Sequence, residues 1–374
     1  MKLTKRIFCT VLTVALLLSV MLTGCSLPRL TIGGTPAIAG TVGGREVTTG
    51  EYLAYLYNTF NEIYYNQQVY MYDQYYQAGY IDTDPWAQES YAYGEGENAP
   101  KVTLSQYITL QTQDAIVRQE ALTAMLKENG LPWLEEDEKN INEDLAEIDP
   151  NACLASGFSY ENYAKAYKNL YLNERSLFFG LYGEGGKRAV SVEDQKKYFE
   201  ENYLSYKIIK IALTDDEGTE LNEEGKKKIT DELNGYLEIY NKDKNFEAAV
   251  DAYNKANAEK DAEVEASKDE DNRVNVDAKA SEMDADLQEA IRSVEVGTAK
   301  IVTYSEGGKT PTAALILRLD INEPADLFTD EQENILSSMK YEEFDEEVTA
   351  AAKKIERSFD KTVEKKCDPK KFRG

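Results

Sequence analysis

Residues 205–213 read SYKIIKIAL, an apolar run rich in β-branched side chains that ends at the acidic turn TDDEGTE. A run of this length bounded by turn residues predicts a strand. Two helical patterns follow, at residues 226–241 and 245–257, and further on a helix, a turn at Gly297 and two strands joined by Gly307 and Gly308. This order predicts a unit in which helices flank a sheet.

Helical patterns lie on both sides of this unit. Residues 41–187 carry apolar stripes at helical spacing, with an N-cap at Thr48 or Thr49 and a stop at Asn129-Gly130. Residues 326–366 are predicted to form one further helix. Its apolar stripe needs a partner, because so polar a helix is unstable alone, and the helical lobe is the expected partner. The stripe comprises Leu336, Met339, Phe344, Val348, Ala352 and Ile355.

The first part of the lobe is unusually rich in tyrosine, with ten within residues 52–80. Tyrosine offers a large, rigid contact area with a polar tip, which suits binding of extended or partly unfolded polypeptide. Packing of the rings inside the lobe is the competing interpretation. The candidates for polypeptide binding are Tyr52, Tyr55, Tyr64, Tyr72, Tyr75 and Tyr76.

The N-terminus has the pattern of an export signal. Lys2, Lys5 and Arg6 precede an apolar stretch that is short for a membrane span, and the stretch ends in LTGC, residues 22–25. This ending resembles the lipobox of bacterial lipoproteins, which implies cleavage before Cys25 and acylation (palmitate) of that cysteine. Residues 25–40 are rich in Gly, Pro and small side chains, as is typical of a flexible tether. The expected location is the extracytoplasmic face of a bacterial cell membrane, through a lipid anchor.

Composition excludes several functional classes. The formal charge is −26, and loss of the three basic signal residues would take it to −29, which excludes nucleic acid as a partner. The chain has no histidine, so triads that need histidine as base are excluded and a metal site is not expected. After Cys25 only Cys153 and Cys367 remain, and the sequence leaves open whether they pair.

Segments of the chain resemble a parvulin-type peptidyl-prolyl isomerase domain, and the chain as a whole resembles extracytoplasmic foldases of the PrsA and SurA type. In the domain these segments are KIAL (210–213), NFEAA (245–249), VGTAKIV (296–302) and AALIL (313–317). VGGREVT, residues 42–48, resembles the opening of the family's helical lobe. The resemblance implies an α+β fold, in which a parvulin-like antiparallel sheet flanked by helices is inserted into a mainly helical chaperone lobe.

The resemblance also implies domain boundaries. They are a signal peptide at 1–24, a tether at 25–40, an N-terminal helical lobe at 41–187, a parvulin-like domain at 188–322 and a C-terminal helix packing on the lobe at 323–374.

Departures from the family decide the expected activity. Lys210 and Ala314 occupy the positions of the family's paired histidines, and the acidic stretch 258–282 replaces a glycine-rich loop. We therefore expect isomerisation to be weak or absent, in a degenerate pocket formed by Lys210, Phe246, Ala314 and Leu315, with no cofactor. The expected function is a lipoprotein foldase or chaperone for exported unfolded polypeptides. An active prolyl isomerase and a lipoprotein with one dedicated surface partner stay open as alternatives.

Overall fold

A computed structural model of the chain describes residues 37–94, 96, 98–257, 272–275, 283–323 and 327–372. Its contacts divide the chain into two compact units. Unit 1 comprises residues 1–189 and 341–374, and unit 2 comprises residues 190–340. The predicted signal peptide, Cys25 and most of the tether lie outside the described residues, as does most of the acidic stretch 258–282.

Unit 1 opens with an antiparallel hairpin. Strands β1 (Ile38–Val42) and β2 (Arg45–Thr48) are joined by Gly43 and Gly44, whose φ angles of 58° and 79° suit glycine. Helix α1 (Thr49–Asn61) then begins at Thr48, whose hydroxyl accepts a hydrogen bond from the Glu51 amide at 3.1 Å. The hairpin turn and the N-cap predicted from the sequence are both confirmed.

Six more α-helices and two short strands complete the described N-terminal part of unit 1. A π-helical turn, Glu62–Asn66, extends α1, and a second π-helical turn, Asn169–Asn173, joins the last two helices. The further elements are α2 (Val69–Gln77), β3 (Tyr91–Ala92), β4 (Lys101–Val102), α3 (Leu104–Asn129), α4 (Glu135–Ala146), α5 (Pro150–Ala155), α6 (Tyr160–Lys168) and α7 (Glu174–Tyr182). Helix α3 ends at Gly130 with φ 65°, as the stop signal predicted.

Unit 2 contains a four-stranded antiparallel sheet of order β6-β5-β8-β7. Its elements are α8 (Val192–Asn202), β5 (Tyr203–Ala212), α9 (Glu223–Asp243), α10 (Phe246–Asn257), β6 (Asn272–Asn275), α11 (Ala285–Arg292), β7 (Ala299–Glu306) and β8 (Thr310–Arg318). The sequence does not predict strand β6, because four residues within an acidic stretch give no strand pattern.

Helices cover both faces of the central strands. Residues 313–317 of β8 are all buried, so the strand is a continuous apolar run and does not alternate. Helices α9 and α10 pack on one face, and α11 packs on the other. The stretch SYKIIKIAL lies in β5 and its end, beside β8 in the middle of the sheet.

The C-terminal segment is not one helix. Helix α12 (Leu327–Ala352) ends at Ala352 and is followed by β9 (Arg357–Phe359), α13 (Lys361–Lys366) and a 3₁₀ turn (Pro369–Phe372). The prediction of a helix over 326–366 is therefore wrong beyond Ala352, and Ile355 is not part of a helical stripe. The physical reason is pairing, because β9 is an antiparallel partner of β1 and Glu356 O accepts a hydrogen bond from Gly43 N at 2.9 Å.

The core of unit 1 surrounds α1. This helix packs against α3 and α6, and the ring of Phe372 near the C-terminus lies 5.7 Å from that of Tyr57 and 5.6 Å from that of Phe60. The predicted α+β class is confirmed. In the described ranges no helix is both long and apolar enough to cross a membrane.

Candidate functional site

The candidate tyrosines fall into two groups that differ in burial. Tyr52, Tyr55 and Tyr64 are core residues, with 0%, 1% and 4% of their surface exposed. Their assignment to a binding surface is wrong, because all three side chains belong to the hydrophobic core of unit 1. Tyr72 and Tyr75 are exposed, by 59% and 51%, and Tyr76 is half-buried.

The buried tyrosines have structural partners. The Tyr55 hydroxyl accepts a hydrogen bond from Asn169 Nδ2 at 3.1 Å. The Tyr52 ring centroid lies 5.9 Å from that of Phe359 in β9. Burial raises the pKa of both Tyr52 and Tyr55 well above the usual phenol value. These side chains therefore hold the lobe together and are not available to a partner.

The exposed tyrosines form one surface on α2. Tyr72, Tyr75 and Tyr76 follow at spacings of three and four, so they share a helix face. Tyr80, just past the helix, is 79% exposed, and its ring lies 6.3 Å from that of Tyr75. Tyr80 is not among the binding candidates predicted from the sequence. Tyr72, Tyr75, Tyr76 and Tyr80 are called the α2 tyrosine patch below.

The α2 tyrosine patch is uncharged, in a chain whose net charge is −26. Between residues 67 and 80, Asp73 is the one residue among the types Asp, Glu, Lys and Arg. It is fully buried and accepts a hydrogen bond from the Tyr64 hydroxyl at 2.6 Å. Glutamines separate the rings. A contiguous exposed aromatic surface on a soluble protein marks a place where another molecule is contacted.

The helix that presents the patch is set off from α1 by a local backbone feature. Gln68 has φ 60°, an uncommon left-handed conformation for a residue other than glycine, and it precedes α2. On the inner side Val69 and Asp73 are buried, so the outer side is left to the tyrosines. The amphipathic placement of these few residues fixes which rings face solvent.

The four residues predicted to form a pocket in unit 2 are not on one face of the sheet. Lys210 lies opposite Ala314 across β5 and β8, whereas Leu315 lies opposite Ile209. Since successive residues of a strand point to opposite faces, Ala314 and Leu315 point apart. Leu315 packs against α9 and α10, and Phe246, the first residue of α10, lies in the same cluster. Ala314 packs against α11 on the other face. A single pocket lined by all four is therefore excluded.

Phe246 and Leu315 also do not line an open cleft. They are 3% and 0% exposed and belong to a core cluster with Leu233, Tyr236 and Tyr240. The predicted cleft near them is filled by the helices, because α10 begins at Phe246 and places this ring against Tyr240, with 6.0 Å between centroids. Both residues stabilise the unit.

On the other face, Lys210 is at the solvent boundary. Its ammonium group is ion-paired with the Glu306 carboxylate, and both side chains are substantially exposed. Tyr304 lies on the same face and is 9% exposed, and its hydroxyl has no hydrogen-bond partner among the described residues. Burial, with Glu306, Tyr206 and Asp284 nearby, raises the pKa of Tyr304. The face thus holds two buried phenols, Tyr206 and Tyr304, and the solvated Lys210–Glu306 ion pair.

The chain is similar to solved structures of known proteins, and to no family model or curated sequence. The foldase protein PrsA from Lactococcus lactis is similar at 11% identity and a TM-score of 0.35, over 88% of this chain and 96% of that one. The PrsA peptidylprolyl isomerase from Bacillus cereus is similar at 15% identity and a TM-score of 0.32, over 77% and 100%.

A third structure, the foldase protein PrsA from Streptococcus pneumoniae, is similar at 12% identity and a TM-score of 0.29, over 75% of this chain and 92% of that one. These are the foldases that the sequence motifs resemble. Because each TM-score is below 0.5, the assignment of function rests on the residues of this chain.

Proposed function

We propose that this chain is a lipid-anchored extracytoplasmic foldase or chaperone that binds exported, unfolded polypeptides through the α2 tyrosine patch. The observation that carries the proposal is the exposure of Tyr72, Tyr75 and Tyr80 on an uncharged surface. Aromatic rings with two rotatable bonds give contact area at a small entropic cost, and their hydroxyls accept or donate hydrogen bonds to any backbone. Such a surface suits partners that share no sequence.

The charge of the chain supports the same role. A net charge of −26 keeps a complex with an unfolded segment soluble, because like-charged complexes repel one another. The α2 tyrosine patch is uncharged, so it can contact an unfolded segment without the charge repulsion that the acidic surface would exert on acidic segments.

Aggregation of an unfolded exported protein tests the proposal. The chain from Ser26 onward retains every described residue and is added in equimolar amount to a denatured, secreted protein on dilution. We expect slower aggregation. The triple variant Tyr72→Ser/Tyr75→Ser/Tyr80→Ser should bind unfolded protein roughly tenfold more weakly, since each ring contributes on the order of 0.5 kcal/mol.

The matched control replaces exposed apolar side chains elsewhere in the chain. Leu154, Val192 and Val296 are 64%, 50% and 46% exposed, and changing all three to serine removes comparable apolar surface away from the patch. This control should hold unfolded protein as well as the parent chain does. Equal loss in both variants, or no delay of aggregation by the parent, would contradict the proposal.

Anchoring through Cys25 is part of the proposal and rests on the sequence alone. The chain with Cys25→Ala should be found in the medium or the soluble extracytoplasmic fraction, and it should incorporate no labelled palmitate. The parent chain should be found with the membrane and carry the label. Retention of the variant at the membrane in equal amount would remove the anchor from the proposal.

We propose further that unit 2 isomerises prolyl bonds weakly or not at all. The chain has no histidine, and Lys210 is ion-paired at the surface with Glu306. Exchange spectra on a short proline-containing peptide measure this directly. We expect exchange rates that do not rise when the chain is added, for the parent and for Lys210→Ala alike. Faster exchange that is lost in Lys210→Ala would favour an active isomerase.

A further inference from the structure

The outer edge of β7 is open in the part of the chain that the structure describes. In the sheet order β6-β5-β8-β7, strand β7 has a partner on one side, and no other described strand pairs with it. Its eight residues are in unbroken register with β8, from Ala299 opposite Leu317 to Glu306 opposite Thr310. Natural proteins usually protect a long, regular edge with a bulge, a proline or a covering element, because it offers unpaired backbone groups.

The hydrogen bonds of β8 show which groups of β7 point outward. Leu319 N donates to Ser205 O at 2.8 Å, and Leu213 N donates to Pro311 O at 2.7 Å. In an antiparallel ladder the direction alternates from one residue to the next. The odd-numbered residues of β8 therefore bond to β5, and the even-numbered residues bond to β7.

The register then fixes the orientation along β7 itself. Val302 and Tyr304 lie opposite Ala314 and Thr312, so their backbone groups bond to β8. The alternate residues Ile301 and Thr303 direct their N–H and C=O groups away from the sheet. Ser305 directs its N–H outward, while its C=O accepts a hydrogen bond from Gly308 N at 3.1 Å. Thr303 and Ser305 are exposed, so this edge is open to solvent.

Two helices rise beside the edge and make it a groove. Residues of α11 form one wall and residues of α9 form the other, and the groove between them has a volume of about 740 Å³. The α11 wall carries Asp286 and Glu289, and the α9 wall carries Thr230 and Asn234. The floor is β7. A strand added beside β7 would lie between these walls, about 4.8 Å from β7.

We propose that the outer edge of β7 binds an extended segment of client polypeptide as a fifth strand of the sheet. The proposal rests on the proposed function, because it supplies a backbone-directed site for the same unfolded clients. Hydrogen bonds to Ile301, Thr303 and Ser305 would use the client's main chain, which every sequence possesses. The walls would add a preference for basic side chains facing Asp286 and Glu289.

A second copy of this chain is a poorer occupant. Pairing two β7 edges would bring α9 and α11 of one copy against the same helices of the other, where a lone peptide meets no such obstacle. The net charge of −26 on each copy opposes that approach. A client segment is the occupant that the walls and the charge both favour.

Amide signals of β7 provide the test. The probe is a ten-residue synthetic peptide in which threonine and valine alternate, with lysine at both ends, added to the isotope-labelled chain from Ser26 onward. We expect saturable shifts of the Ile301, Thr303 and Ser305 amides and slower hydrogen exchange at the same three. Amides of Val302 and Tyr304, already bonded to β8, should exchange as before. No saturable change at the three outward amides would overturn the proposal.

A proline variant separates strand addition from binding through side chains. Thr303→Pro removes an outward N–H and no ladder bond, and Thr303→Val keeps the N–H while changing the same side chain. Thr303→Pro should weaken peptide binding roughly tenfold, as expected for one lost hydrogen bond and an intruding ring, and Thr303→Val should leave it nearly unchanged. Far-UV circular dichroism and the thermal midpoint check that both variants fold.

The same experiment uses a second peptide, N-methylated at alternate residues along one edge. The affinity of this N-methylated peptide for the parent chain should be no higher than the affinity of the unmodified peptide for Thr303→Pro. Equal affinity of the two peptides, or of parent and Thr303→Pro, would overturn strand addition. Failure of the proposed function has a different signature, because it is read from aggregation and from the α2 tyrosine variants. Concentration-dependent dimerisation that Thr303→Pro abolishes would make a second copy the occupant and likewise overturn the proposal.

Discussion

At the scale of single residues, burial decides what each tyrosine does. A signal for this was present in the sequence. Residues 52–57 read YLAYLY, apolar on every side of a helix, and a helix of that kind is buried. In α2, by contrast, the exposed Gln74 and Gln77 interrupt the rings, which is the pattern of a helix with a solvent face. The density of tyrosine alone could not separate the two groups.

Asp73 links the patch to the core. Its buried carboxylate accepts a hydrogen bond from the Tyr64 hydroxyl, so Asp73→Ala should lower the free energy of unfolding by about 1–3 kcal/mol. Chemical denaturation followed by tyrosine fluorescence measures this. Gln74→Ala, one position away and exposed, is the control and should change stability by less than about 0.5 kcal/mol. Equal effects of the two changes would show that the buried contact contributes nothing.

Two buried thiols make unit 1 sensitive to alkaline pH. Cys153 and Cys367 are both free, and burial raises the pKa of each to about 11, from a usual value of 9.0. The unfolded chain therefore loses these protons at lower pH than the folded chain does. The stability that they contribute should be complete below pH 9 and fall between pH 9 and about 11.

The expected loss is on the order of 2 kcal/mol per thiol, from about 1.4 kcal/mol per pKa unit. Denaturation at closely spaced pH values measures the slope for the parent and for Cys153→Ala/Cys367→Ala. The variant starts from lower stability and should lose less on the way from pH 9 to 11. Burial also raises the pKa of Tyr57 to about 12, so some slope should remain in both chains. Identical slopes would argue against the thiols as the cause.

At the scale of elements, long periodic segments were predictable and short paired ones were not. Helix α3 and its end at Gly130 were predictable, because the apolar stripe and the glycine that predict them lie within the segment itself. Strands β6 and β9 have four and three residues, too few for a period, and each exists because a distant strand bonds to it. The prediction of a single degenerate pocket was wrong for a related reason. The face of the sheet to which a side chain points depends on strand register, and resemblance to a motif does not reveal it.

The pairing of β1 with β9 depends on a glycine. A Cβ atom at Gly40 would lie 2.2 Å from Ser358 O, so any side chain there pushes β9 away. Gly40→Val should therefore destabilise unit 1 by about 3 kcal/mol, in the upper part of the range for overpacking. Thermal unfolding measures it, with Thr41→Val, an exposed position on the same strand, as the control. A midpoint for Gly40→Val equal to that of the control would contradict the pairing.

At the scale of the whole molecule, unit 2 is one continuous segment and unit 1 is made from two. The C-terminal part of unit 1 fills its core, because Phe344, Val348 and Val363 are at most 1% exposed. It also supplies ionic partners, as Asp345 does for Arg118 at 2.8 Å. The core clusters of unit 2 draw on residues of unit 2 alone.

Removal of residues 341–374 should therefore unfold unit 1 and spare unit 2. Hydrogen exchange resolved by residue tests this. Amides of α1 and α3 should lose their protection, and amides of β5 and β8 should keep it, because local stability follows local burial. Comparable protection of α1 in the truncated and complete chains would show that the C-terminal segment is dispensable.

The division of unit 1 also sets an order of events during biosynthesis. A chain made from its amino end presents α1 early, yet the ring of Phe372, which lies against Tyr57 and Phe60, is added more than 300 residues later. All residues of unit 2 have been synthesised once the chain reaches residue 340. Until Phe372 is added, the nascent protein thus carries an aromatic helix that is only partly covered, the same kind of segment that it is proposed to hold in others. A finished copy nearby would be suited to protect this helix until Phe372 covers it.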